Sequence, residues 1–128
     1  MEQKKRQMLD RVGTIVLVCL NIIYGILLIY LHYNQILFEV GGPFEADTPY
    51  HIKMAVEDKF YYSFTAFVYM FLYKLPFADL LTAIFLSLCE VATVFGTYLL
   101  LNELWKKYEI KVGAAVTLLG ATALNFVM

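Results

Sequence analysis

With 128 residues, of which 61% are hydrophobic, 16% aromatic and 16% charged, the chain is too apolar for a water-soluble globular domain, whose apolar share sits near half. Ten Lys and Arg against eleven Asp and Glu give a formal charge of -1, without the basic excess that nucleic-acid binding uses, which argues against DNA or RNA as a partner. About 80 residues fall in apolar runs long enough to cross hydrocarbon; too little polar chain remains for a soluble catalytic domain, so the expected class is an all-α integral membrane protein.

The N-terminus, MEQKKRQMLDR, sets Lys4, Lys5, Arg6 and Arg11 ahead of an apolar run from Val12 to about Tyr33. That run is longer than the roughly 7–15 residues of a cleavable signal core and has no small-residue cleavage site. It therefore reads as a retained first transmembrane helix over 12–33, behind a tail over 1–11 that the basic cluster holds in the cytoplasm. From 34 to 59 the chain turns hydrophilic, with Glu39, Glu45, Asp47, Glu57 and Asp58, turn chemistry at Gly41-Gly42-Pro43, and a helix start at Asp47-Thr48-Pro49. Ile52, Ala55, Val56 and Phe60 then recur at helical spacing against polar His51, Lys53, Glu57 and Asp58, which predicts a short amphipathic helix at the outer interface.

Phe60 to Tyr73 is uncharged but reaches only about 21 Å as a helix against a core of about 30 Å, so the segment over 60–77 is a short second span or a dip. Residues 78–101 make a full-length third span, 102–111 a polar connector with Trp105 and Tyr108 at interface positions, and 112–128 a fourth apolar segment with no polar tail. The expected architecture is thus about four transmembrane helices with an amphipathic interfacial helix in the first outer loop, at the front of a longer polytopic protein or in a truncated copy of one. A conflict accompanies four crossings, which put Lys106, Lys107 and Lys111 outside, against the positive-inside bias; a dip over 60–73 would bring them inside.

Asp47, just outside the membrane and leading into the loop helix, is the first candidate for chemistry, as a general base for a hydroxyl or a ligand for a cation; its plain alternative is a helix cap. His51 follows four residues later, at a spacing that leaves a divalent metal open but does not by itself make a site. Tyr50, with Tyr61 and Tyr62, lies where a polar headgroup would be lined. Glu90 is the second candidate, because a carboxylate in mid-span costs a few kcal/mol and so faces a bundle interior, a cavity or a partner. Lys74 and Asp79 read as interfacial anchors, Cys19 and Cys89 as small buried hydrophobes rather than a disulfide. Ala83-x-x-x-Ser87 and Ala92-x-x-x-Gly96 would let another helix approach, from the rest of a longer chain or from another membrane subunit. Dinucleotide, nucleotide-phosphate and zinc-protease signatures are absent, and no cofactor is named.

Phe44-Glu45-Ala46-Asp47-Thr48-Pro49-Tyr50-His51-Ile52-Lys53-Met54-Ala55, followed by Tyr61-Tyr62-Ser63-Phe64-Thr65-Ala66-Phe67-Val68-Tyr69-Met70-Phe71 with Leu75, and then Tyr98-Leu99-Leu100-Leu101-Asn102-Glu103-Leu104-Trp105, resembles the N-terminal part of the GT-C superfamily of membrane glycosyltransferases, which includes the protein O-mannosyltransferases and aminoarabinose transferases. The resemblance implies a sugar donor linked to a polyprenyl phosphate in the membrane lipid, with Asp47 as base for the acceptor on the outer face. Tyr50, His51 and Lys53 would then be substrate contacts. Thr48 departs from the Glu frequent in that family, Glu90 is unusual for its third helix, and no arginine after Arg11 is present to clamp a phosphate. Two other classes compete: a small transport or channel-like subunit working through Glu90, and a non-catalytic membrane partner.

Overall fold

The computed structural model describes residues 1–38, 48–57, 59 and 63–127. Among them are five α-helices and no strand: α1 (Glu2–Phe38), α2 (Thr48–Val56), α3 (Phe64–Leu72), α4 (Ala78–Lys107) and α5 (Ala114–Val127).

Several bounds differ from the sequence expectation. The basic tail is not separate from the first apolar run but continues it as helix, because Gln3 to Leu9 are good helix formers without Gly or Pro and Glu2 sits in the first turn. α1 also runs past residue 33. Asn34 stays helical by donating its side-chain amide to the Tyr30 carbonyl at 2.8 Å, and Ile36 in the extra turn is buried. α4 takes in residues 102–107, ending with Lys106 and Lys107 where cations suit the helix dipole. The segment expected to be a span over 60–77 holds a helix of only nine residues, α3, about 14 Å long. Ser63 starts α3 in extended conformation and accepts the Ala66 N–H at 3.2 Å, and the chain turns at once after Leu72.

The chain divides into two compact units, 1–25 with 89–128, and 26–88; α1 and α4 contribute to both. In the first, α5 lies alongside α1 and runs the same way. Asp10 of α1 accepts from the first amides of α5, Oδ2 from Ala114 N at 3.3 Å and Oδ1 from Ala115 N at 3.0 Å. Further along, Asn21 donates to Thr122 Oγ1 at 3.2 Å, and the rings of Tyr24 and Phe126 stand 5.7 Å apart. Asn125 of α5 donates to Thr97 Oγ1 of α4 at 3.1 Å, tying the third helix in. Leu118 and Ala121 are buried to 1% and 0% exposure at the middle of this packing. Two glycines set its closeness: a Cβ on Gly13 would meet Ala115 Cβ at 3.1 Å, and one on Gly113 would come within 2.5 Å of Asp10 Oδ1.

The end of α4 is closed by a paired motif in which Ile110 N–H donates to the Trp105 carbonyl at 2.8 Å and Glu109 N–H to the Lys106 carbonyl at 3.2 Å. Glu109 carries the left-handed conformation this turn requires, with φ 54, where glycine is usual.

The second unit has its own core of Ile36, Ile52, Ala55, Ala66, Tyr69, Ala83 and Leu86, with Ile29, Tyr33, Val56, Tyr73 and Phe85 packed round it. Ile52, Ala55 and Val56 are the face expected of the loop helix. That face packs on α3, where Ala55 and Ala66, both fully buried, allow close approach. The Tyr73 hydroxyl donates to Asp79 Oδ1 at 2.8 Å, bracing the turn between α3 and α4. The small-residue pairs separate: Ala83 and Ser87 are buried, whereas Ala92 and Gly96 are exposed and a Cβ on Gly96 would meet nothing. Cys19 and Cys89 are free thiols, and both are exposed rather than buried as the sequence suggested.

Two expectations follow for urea unfolding of the purified chain in detergent. Asp10→Ala removes the cap on α5 and is expected to cost about 1–2 kcal/mol; Gly113→Ala displaces the same carboxylate, so the double variant should lose clearly less than the two single losses together. Glu109→Gly relieves the left-handed residue and is expected to raise stability, by at most about 1 kcal/mol.

Candidate functional site

The residues that carry the sequence resemblance fall on both sides of what is described. Asp47, the capping or catalytic candidate, lies outside the described residues, as do Tyr61 and Tyr62. What the structure places is the helix that follows Asp47. α2 begins at Thr48 with Pro49 in its first turn, where the missing N–H of proline costs nothing.

Burial of Ile52 and Ala55 against α3 fixes the rotation of α2 and decides what it presents. Tyr50, 59% exposed, and Lys53, also exposed, are three residues apart and so share a face. His51 is half-buried, its ring 5.8 Å from that of Tyr50 and inclined at 60°. A phenol, an imidazole and an ammonium thus stand on a nine-residue helix anchored by apolar contacts on its other side. Such a set can donate hydrogen bonds to a phosphate or a sugar hydroxyl. Glu57 and Lys59 follow, both exposed, and Lys59 has φ 53. No group of three or more His, Cys, Asp or Glu side chains able to hold a metal ion occurs among the described residues.

Glu90 lies in the other unit. It is half-buried on α4 and stands within electrostatic reach of the Tyr24 hydroxyl on α1 and of its neighbour Cys89. The Asn21–Thr122 and Asn125–Thr97 hydrogen bonds belong to the same unit, so all three of its helices meet through polar side chains as well as apolar ones. Glu90 is legible in the sequence through its isolation in an apolar run. Asn21 and Asn125 are not among the sequence candidates, although an amide within an apolar run is the signal they carry.

Lys74 and Asp79, read as interfacial anchors, have specific partners. Asp79 takes the Tyr73 hydroxyl, and the Lys74 ammonium stands 5.5 Å over the Phe71 ring. Asp10 was missed altogether, since nothing local distinguishes a carboxylate at the end of a basic tail as the cap of a helix more than a hundred residues away.

Compared with known proteins, the chain finds no counterpart: no protein-family model matches it, and neither does any curated protein or solved structure.

Proposed function

We propose that the chain is an integral membrane module with its N-terminus in the cytoplasm, and that it presents an outer-face site for transferring a sugar from a polyprenyl-phosphate donor. Support for the membrane comes from exposure. α1 and α4 each contain an apolar window of membrane length, yet only 17% of each window is buried, the opposite of a core helix in a soluble protein. Ile15, Ile23, Leu88 and Leu99, each more than 60% exposed, are side chains that need hydrocarbon around them.

The Asp10 contact supports a definite topology. It puts the start of α1 and the start of α5 at one end of their unit, together with the end of α4, which joins α5 through residues 108–113. If α1 leaves the cytoplasm, α4 returns to it. α3, at nine residues, then dips without crossing. Lys4, Lys5, Arg6 and Arg11 share the cytoplasmic side with Lys106, Lys107 and Lys111, which satisfies the positive-inside bias that four crossings violate. α2, with Tyr50, His51 and Lys53, falls on the outer side.

The glycosyltransferase reading rests on one observation above the others: the order of long helix, loop, short amphipathic helix, short aromatic helix and second long helix is the order that the resemblance around Asp47 implies. A general base at the start of α2 would take the proton of an acceptor hydroxyl while Tyr50, His51 and Lys53 contact the donor phosphate at headgroup depth. A second reading, transport of a proton or cation, is favoured by the place of Glu90, half-buried within the apolar stretch of α4.

Topology is checked by labelling single cysteines in sealed vesicles with a membrane-impermeant maleimide, in a background lacking Cys19 and Cys89. Lys4→Cys and Lys111→Cys should label from the same side and Lys53→Cys from the other; opposite labelling of the first two would restore four crossings. For the reaction, membranes carrying the protein are given a radiolabelled polyprenyl-phosphate sugar. Asp47→Asn is expected to cut incorporation by about 100-fold or more, as loss of a general base does. Unchanged transfer would remove Asp47 as base, whereas proton flux lost in Glu90→Gln with no sugar transfer by the wild type would favour the transport reading.

A further inference from the structure

Where α4 passes into α5 the chain forms an open cleft of about 480 Å³, walled by Asn102, Trp105, Lys106, Ile110, Lys111 and Val112. Its shape follows from the closing turn of α4: the Ile110-to-Trp105 backbone bond folds Ile110 back beside Trp105, and Glu109 in left-handed conformation swings the chain towards Lys111. The cleft therefore has apolar walls and two ammonium groups from different segments.

The charges around it are little engaged. Lys106 pairs with Glu103 at 3.3 Å, but both side chains are more than 70% exposed, and such a pair is easily exchanged for another anion. Lys111 makes no ion pair among the described residues. Lys107 lies 5.8 Å from the Tyr108 ring. Of the acidic groups nearby, Glu109 is exposed, and Asp10 has its carboxylate occupied by the Ala114 and Ala115 amides. The Trp105 indole N–H is enclosed without an acceptor among the described residues.

We infer that this cleft binds the phosphate of an anionic phospholipid headgroup, held by Lys106 and Lys111 with Asn102 as a further donor and Trp105 as an apolar wall. A membrane lipid fits better than free phosphate because the helices leading from the cleft expose Leu99 and Leu100 on α4 and Val116 and Leu119 on α5, where acyl chains would lie. The inference rests on the membrane reading and topology above, which place the cleft at the cytoplasmic leaflet where anionic lipid attracts basic side chains. It is independent of the glycosyltransferase reading, whose site is on the other face.

Trp105 is the single tryptophan of the chain and reports on the cleft directly. The chain is reconstituted into phosphatidylcholine vesicles containing a minor share of phosphatidylglycerol, with bromine on the acyl chains of one lipid or the other. Brominated phosphatidylglycerol is expected to quench Trp105 more, mole for mole, than brominated phosphatidylcholine. The preference should weaken about fivefold in each of Lys106→Gln and Lys111→Gln and persist in Lys74→Gln. Equal quenching by the two lipids in the wild type overturns the headgroup site and leaves the membrane reading standing. No quenching by either overturns the membrane reading itself. Inorganic phosphate added to the chain in zwitterionic detergent should leave Trp105 emission unchanged; a saturable shift would identify a soluble phosphate as the ligand and overturn the phospholipid assignment.

Discussion

The bond between the Asp10 carboxylate and the first two amides of α5 is the constraint on which the first unit depends. A helix leaves its initial N–H groups without intrahelical partners, and Gly113, at the position before α5, has no side chain to satisfy them. α1 supplies the acceptor instead, and Gly113 is small because any larger residue would displace it. Charge is part of the bond, since an anion suits the positive end of a helix. Once that end is held, Asn21, Thr122, Tyr24 and Phe126 follow in register along two helices running the same way.

The second unit solves a different problem, how to hold two nine-residue helices that have no stability of their own. Ala55 and Ala66 let α2 and α3 approach closely, Ile36, Ile52, Tyr69 and Leu86 fill the space around them, and Ser63 and the Tyr73–Asp79 bond fix the ends of α3. In consequence α2 is not a helix lying loosely on lipid. One side is committed to packing, and Tyr50 and Lys53 are left on the other.

Between them the units account for every long apolar helix yet bury few of its large side chains, and water is a poor solvent for what remains exposed. In the membrane setting proposed above, the polar contacts among α1, α4 and α5 gain weight, because Asn21, Thr97, Thr122 and Asn125 would otherwise have only lipid around them. Glu90 sits in the same unit, as the carboxylate within the α4 apolar run, and the two proposed chemistries divide accordingly, an outer-face transfer beside α2 and a proton or cation step at Glu90.

Much of the architecture was legible in the sequence. Apolar runs of membrane length, the Thr48-Pro49 helix start and the Ile52, Ala55 and Val56 face all depend on local composition and spacing, and all correspond to elements of the structure, whereas the expected break near residue 34 does not, since α1 continues to Phe38. α1 and α4 are longer than their apolar runs because polarity alone does not end a helix: Gln3 to Leu9 and Asn102 to Lys107 are polar or mixed but good helix formers. The candidate site was legible only in part, since Tyr50, His51 and Lys53 could be named but not assigned to a face until Ile52 and Ala55 were packed. Tertiary structure alone decided that α3 stops at Leu72, that Ala83 and Ser87 are buried while Ala92 and Gly96 are not, and that Asp10 caps α5. The reason is physical: a helix records its own periodicity in consecutive residues, but a bond between residues 10 and 114 leaves no trace in either neighbourhood, and only the folded chain brings the orphaned amides to the carboxylate that satisfies them.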